Sequence, residues 1–436
     1  MEIANKDSLK LYTLSFVPFI MVLGNSLLIP AFPQIQEALN ITQFEVGLLI
    51  TVFSISAGVT IPIVGFLSDK IGRKIIIIIA LFLYALGGLI SGFAALLMED
   101  PYTIMLGGRL IQGFGAGGTG PIAMALAGDL FQESKRTKAM GVLEAFNGLG
   151  KIVSPILGAV IVVLFWFSPF FVYPVLAIPV IIFMWIVINE PENKSTGADS
   201  KNSFNDYFSG IGNIFKKQGW YLIGTYLAGF SVLFFLFGTL SYMSDILEIR
   251  YGLFGVLKGV VLAIPVIVMA TTSYTIGKVI KTDRSLMEYA VVGGLLFGSI
   301  AFLFIALFIE SDYVFFAAIV LAGISAGVIL TSVNTLVTSS TTGRARGGVT
   351  SLYGSVRFFG VAAGPPAFGW MVQVSRIFMF GMAAGFLLLM TIFSYIVILV
   401  VNNQSEDVDI SVNAGGKLKS IRDKLTSLIG GKNRVK

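Results

Sequence analysis

Apolar residues in this chain of 436 residues gather in blocks of about 20, and the polar residues gather in the short stretches between them. A block of that length is what an α-helix needs to cross a hydrocarbon core ~30 Å thick. Twelve blocks are present, near 11–32, 44–66, 75–97, 102–128, 139–164, 168–189, 220–244, 252–276, 287–309, 313–339, 349–373 and 377–401. The pattern predicts an all-α membrane protein of twelve transmembrane helices. The first block is a full span that continues into Pro30 and Pro33, so no cleavable leader is expected.

The blocks repeat. At an offset of 210, Gly113, Ala116, Gly117, Arg136, Gly150 and Pro155 fall on Gly323, Ala326, Gly327, Arg346, Gly360 and Pro365. Two pseudo-symmetric six-helix bundles are therefore expected, over 1–190 and 220–402. Residues 191–219 between them are polar, yet Phe204, Tyr207, Phe208, Ile211, Ile214 and Phe215 recur at helical spacing. In the tail, 403–436, Leu418, Ile421, Leu425 and Leu428 oppose Lys417, Lys419, Arg422 and Lys424. Both stretches read as amphipathic helices for the surface of anionic membrane lipids, with a regulatory partner site as the alternative.

Composition agrees: 56% of residues are hydrophobic and 12% charged, with mean hydropathy +0.87, about half the charge of an average soluble chain. With alternate connections taken as cytoplasmic, the Lys and Arg residues lie in those connections and in the tail. The exceptions are Arg250 and Arg376 in outer loops and Arg109, Lys151, Lys258 and Arg357 inside spans. Both termini are then expected on the cytoplasmic side of the cell membrane. The net charge of +6 follows from that topology and gives no case for nucleic acid. With no cysteine and no histidine, thiolate and imidazole chemistry is excluded, and no metal or cofactor is expected. Gly150-Lys151 and Gly277-Lys278 lack the first glycine and the hydroxyl of a phosphate loop. The absence of clustered nucleophile, base and metal ligands argues against an enzyme. Uphill movement of a solute would need an ion gradient.

Three stretches carry chemistry. In Gly65-x-x-x-Asp69-x-x-Gly72-Arg73-Lys74 the glycines allow a sharp reversal, and Asp69 is placed to accept backbone N–H groups at a helix start. The fourth span carries Arg109-x-x-Gln112-Gly113 and the fifth Gly148-x-Gly150-Lys151, continuing through Ser154 and Pro155 to Gly158. The first stretch resembles the loop between helices 2 and 3 of the major facilitator superfamily. The second resembles its Arg-x-x-Gln-Gly motif, and the third the antiporter motif of its twelve-helix drug:proton exporters, with Ser154 and Ala159 standing where glycine is usual. The resemblance implies a monomeric secondary transporter whose bundles rock about a midplane cavity. It would export an amphiphilic small molecule, of multidrug type, by proton-coupled antiport. Asp69 would cap the helix starting near Gly347 and Arg73 would pair with Asp129, closing the cytoplasmic gate. Gly150, Pro155 and Gly158 would kink helix 5.

Read from depth alone, Arg109 and Lys151 reach similar heights and could share one cavity with Arg357, Asn25, Gln112 and Asn147. Glu144, the one acid well inside a span, lies two turns from Lys151 on the same face and is the candidate proton carrier, with Arg109 assisting; a structural ion pair is the alternative for either residue. Three cations against one acid favour a neutral or anionic substrate over an organic cation. An exporter of one endogenous anion, such as a siderophore or lipid-linked metabolite, is thus the second reading. A non-transporting membrane sensor is the third.

Overall fold

The computed structural model describes residues 2–131, 133–190, 204–280, 283–340 and 344–401. Fourteen α-helices follow in order: α1 (Glu2–Ser26), α2 (Phe32–Leu39), α3 (Gln43–Ile71), α4 (Arg73–Leu97), α5 (Tyr102–Gly117), α6 (Gly120–Leu130), α7 (Glu133–Ile161), α8 (Ser168–Val187), α9 (Phe204–Ile249), α10 (Gly255–Ile280), α11 (Arg284–Leu307), α12 (Asp312–Ser339), α13 (Arg344–Val374) and α14 (Arg376–Ser394). A 3-10 turn (Ile29–Ala31) links α1 to α2, and a π turn (Tyr395–Val401) extends α14.

Each apolar block becomes one crossing. The fourth is split between α5 and α6 at Gly118 and Thr119, where two non-helical residues precede Pro121 near the start of α6. Among the described residues, nine helical spans are apolar and long enough to cross a membrane by length and composition alone. The α5/α6 pair, α7 and α13 are diluted by glycine, proline, Glu144, Lys151 and Arg357. Helix α9 contains the end of the stretch between the bundles and turns at Gln218 (φ −130°, ψ 25°) into its crossing segment. Phe215, before that turn, is half-buried and stacks edge-on against Tyr226 at 6.0 Å. Part of the amphipathic stripe therefore packs on the protein. The other stripe residues, Phe204 to Ile211, lie outside the described side chains, and the tail 403–436 lies outside the described residues.

The internal repeat is visible as packing. A Cβ on Gly158 of α7 would stand 2.1 Å from the Leu27 carbonyl, and one on Gly150 3.0 Å from the Phe19 carbonyl, so α7 lies backbone-close on the first helix. On its other side, Pro155 and Ile156 meet Gly259 of α10 at 2.9 and 2.7 Å from its virtual Cβ. Helix α13 repeats this. Gly360 and Gly364 face the carbonyls of Phe230 and Phe234 on α9, both at 2.4 Å, while Pro366 faces Gly47 of α3 at 2.8 Å. Small residues let these backbones approach, and packing of that kind is what holds helices together in lipid. Two seams, α3 with α13 and α7 with α10, join the bundles. Helix α7 runs unbroken through Pro155; Gly150 and Gly158 face the first helix within their bundle, and Pro155 faces α10 across the seam.

Candidate functional site

The connection between α3 and α4 is a single residue, Gly72, at φ +113°, a conformation that side chains rarely adopt. Arg73, the first residue of α4, donates to Asp69 Oδ1 (2.9 Å), to Asp129 Oδ2 on α6 and to the Ala125 carbonyl (2.9 Å). The start of α4 is capped by Glu190, beyond α8, whose two carboxylate oxygens accept the backbone N–H groups of Arg73 and Lys74, each at 2.8 Å. Lys74 donates to the Trp185 carbonyl (2.9 Å) and lies over the Trp185 ring. Among the described residues, the partner of Asp69 is Arg73. The start of α13 includes residues 344–346, whose side chains are outside the described set, and Gly347 is exposed. Glu190 was not singled out in the sequence, because an acid at the end of one span gives no sign of which helix start it will reach.

Arg109 is fully buried. Its Nε donates to the Leu49 carbonyl (2.9 Å), Nη1 to Gln112 Oε1 (2.6 Å) and Nη2 to the Gly24 carbonyl (2.6 Å). The guanidinium lies 4.2 Å from the centre of the Phe53 ring. It therefore ties α5 to α1 and α3 inside the first bundle. That differs from a cavity shared with Lys151: the two reach similar depth, but Arg109 points into its own bundle. Asn25 is also turned inward, accepting from Ser54 Oγ at 3.0 Å, and Gln112 is the acceptor beside Arg109.

Lys151 and Arg357 come together from opposite bundles. Lys151 is half-buried on α7, and the charges acting on it are those of Arg357 on α13 and, more weakly, Glu144 two turns along its own helix. Arg357 Nη1 reaches Asn334 Oδ1 at 3.5 Å, its guanidinium lies 5.5 Å from the Tyr353 ring centre, and its buried Nε–H has no protein acceptor. Asn147, one turn from Lys151, is buried, and Glu144 is exposed. Two like charges acting on one another, with a donor to spare, suit an anion.

A second polar cluster closes the seam at the end opposite Gly72, called here the Pro30 end. Lys258, near the start of α10, is 1% exposed and donates to Glu248 Oε2 (2.6 Å) and to the Pro30 carbonyl (2.7 Å). Gln34 on α2 donates to both oxygens of Glu248 (2.9 and 2.8 Å), and Gln36 donates to Asp245 at 3.2 and 3.4 Å. Asp245 and Glu248, one turn apart on α9, are thus enclosed acids, whereas Glu144 is exposed, and Glu288 on α11 is buried as well. In sequence Asp245 and Glu248 look like acids at a helix end. They are covered only because the chain from Ile29 to Leu39 folds over them.

Comparisons with known proteins bear on these sites. A family model described as Major Facilitator Superfamily matches residues 14–310. The bacillibactin exporter of Bacillus subtilis is 37% identical over 374 residues, covering 85% of this chain and 92% of that protein. The quinolone resistance protein NorA of Staphylococcus aureus is 28% identical over 192 residues, 44% of this chain and 48% of its own length. Among solved structures, a bacterial homologue of the human lysosomal transporter Spinster, in an inward-facing and unoccupied conformation, superposes with TM-score 0.72 at 16% identity, covering 90% of this chain and 97% of that one.

Proposed function

The chain belongs to the major facilitator superfamily, a multi-pass membrane transporter and not an enzyme, and from that premise we propose that it exports an anionic amphiphilic metabolite across the cell membrane by alternating access. The observation that carries this reading is that Arg357 and Lys151, from opposite bundles, act on one another, with Glu144, among the described residues, the acid that acts on Lys151. Two fixed cations in a partly desolvated cleft are costly until an anion bridges them. An anion held from both sides also draws the bundles together, which is the differential contact that a change of state requires. Bacillibactin, the compound in the name of the Bacillus subtilis relative, is the first candidate.

The distribution of Lys and Arg favours both termini and the Gly72 loop being cytoplasmic, and on that reading the residues from Gly65 to Lys74, with Asp129, serve as the inner gate. The Pro30 end is then outside. Protons are the candidate coupling ion, exchanged at Glu144, while Arg109 holds the helix geometry around the cleft. The protein works as a monomer, and the stripe of the tail 403–436, with the part of 191–219 ahead of Phe215, meets anionic lipid. Multidrug export is the second reading, favoured by the likeness to NorA over 192 residues.

Flux into inverted proteoliposomes tests the proposal, with bacillibactin, ethidium and a neutral amphiphile offered side by side. Bacillibactin should be concentrated. Lys151→Met should cut its flux about 10-fold or more, the loss expected of one charge-assisted contact of ~1.5–3 kcal/mol, and leave the neutral compound nearly unchanged. Glu144→Gln should remove the dependence on an imposed pH gradient while downhill exchange continues. Strong ethidium export that ignores both bacillibactin and Lys151→Met would overturn the anion reading.

A further inference from the structure

The repeat that makes the two bundles alike also shows where they differ. At the offset of 210 residues, Arg109, Gln112 and Gly113 of α5 fall on Ile319, Ala322 and Gly323 of α12. Packing matches the neighbouring helices in the same way. A Cβ on Gly113 would stand 2.2 Å from the Phe53 carbonyl and one on Gly323 2.7 Å from the Pro265 carbonyl, while Gly150 and Gly360 face the carbonyls of Phe19 and Phe230. Pro265 therefore occupies the place of Phe53, and Phe235 that of Gly24. In the first bundle this place is plugged by the Arg109 guanidinium, bonded to the Leu49 and Gly24 carbonyls and seated on the Phe53 ring. In the second bundle it is a cavity, lined by Phe235, Pro265, Ile319, Ala322 and Gly323. We propose that this cavity is a binding site for a small phenol, a molecule of one ring and one hydroxyl. The proposal is independent of what is transported.

Size and polarity define the ligand. The cavity has room for about two or three waters, close to the volume of a single six-membered ring. Its walls are mostly carbon and include the rings of Phe235 and Phe302, 5.5 Å apart and tilted by 46°, so an aromatic guest finds the inclined neighbours that such rings prefer. Thr239 of α9, 5% exposed, has its hydroxyl in the cavity wall without a partner. Earlier in the same helix Thr225 and Ser231 bond back to the carbonyls of Tyr221 and Leu227, as helix hydroxyls commonly do. Ser325, the other hydroxyl in the wall, is already committed to the Gly294 carbonyl at 2.7 Å. Pro265 lies inside α10 and has no N–H to give to the carbonyl four residues before it, that of Val261. By the same repeat Val261 stands where Leu49 accepts the Arg109 Nε. One phenolic hydroxyl answers both groups, accepting from Thr239 and donating to Val261. A water there would make just these two bonds among carbon walls, against the three that a buried water typically makes, and it would leave the rest of the space empty.

The full-length protein in nanodiscs, titrated with 4-fluorophenol and followed by fluorine NMR, should show a saturable bound resonance apart from the lipid-dissolved one and displaced by unlabelled phenol. Thr239→Val keeps the shape of the side chain and removes its hydroxyl. It should weaken 4-fluorophenol by about 3- to 10-fold, the loss expected of one neutral hydrogen bond, and leave the binding of fluorobenzene unchanged. Ala322→Leu, at the position where the first bundle carries the longer Gln112, should fill the cavity and abolish binding of both compounds while the protein still elutes as a folded species. The absence of a saturable resonance in the parent, the result if the cavity holds only water, overturns the proposal, as does parental affinity for 4-fluorophenol in either variant. These measurements involve neither Lys151 nor flux, so the anion reading is judged separately.

Discussion

Arg109 and Arg357 look alike in the sequence, each a mid-span arginine, yet they do opposite work. Arg109 spends its donors on two backbone carbonyls and the Gln112 side chain, drawn from three helices, and its positive charge faces the Phe53 ring. Arg357 keeps a buried N–H without a protein acceptor. Side-chain direction separates the two, and direction depends on how each helix is rotated within its bundle, which depth along a span does not specify. The difference has a consequence for stability. Arg109→Lys retains a cation but offers one point where three acceptors on three helices need a fork, so two buried acceptors lose a strong partner at ~1–3 kcal/mol each. The variant should melt several degrees below the parent when scanned in detergent by size exclusion. Arg357→Lys, bound to a cleft with room, should melt close to the parent and lose anion transport instead.

At the scale of elements, the apolar blocks gave every crossing, because a backbone in hydrocarbon has no option except to satisfy itself as helix. The block 102–128 reads as one span, and its break between α5 and α6 before Pro121 was not anticipated; the 210-residue offset did pair Pro155 with Pro365, one in each seam. The Pro30 cluster was illegible. Asp245, Glu248 and Lys258 are ordinary helix-end charges until the turn at Ile29–Ala31 and α2 cover them, and that is a tertiary event. The glycines of α7 likewise divide by what they face and not by motif. A Cβ on Gly158 would collide with the Leu27 carbonyl at 2.1 Å, whereas one on Gly148 meets nothing within 4 Å. Gly158→Ala should therefore force α7 off the first helix and abolish transport with a large loss of folded yield, and Gly148→Ala should be close to neutral. Equal effects from the two would show that the motif acts through helix flexibility and not through contact.

The whole molecule is a pair of bundles joined along two seams, with a capped one-residue turn at one end, a polar cluster at the other, and Lys151 and Arg357 approaching one another from the two bundles. In the seams, Gly47, Gly259 and Gly369 meet backbone, so the bundles approach closely there. What the cleft selects then decides what the membrane voltage does. A cell interior is negative, and an elementary charge crossing 100 mV exchanges ~2.3 kcal/mol, about 50-fold in concentration. A carrier whose fixed cations, Lys151 and Arg357, make it choose anions is pushed by that field in the outward direction, and a proton entering in exchange adds a second charge moving the same way. Export should consequently quicken when a potassium diffusion potential of the physiological sign is imposed at constant pH and slow when it is reversed. Cells that keep their voltage while their pH gradient collapses in alkaline surroundings would continue to expel such a compound.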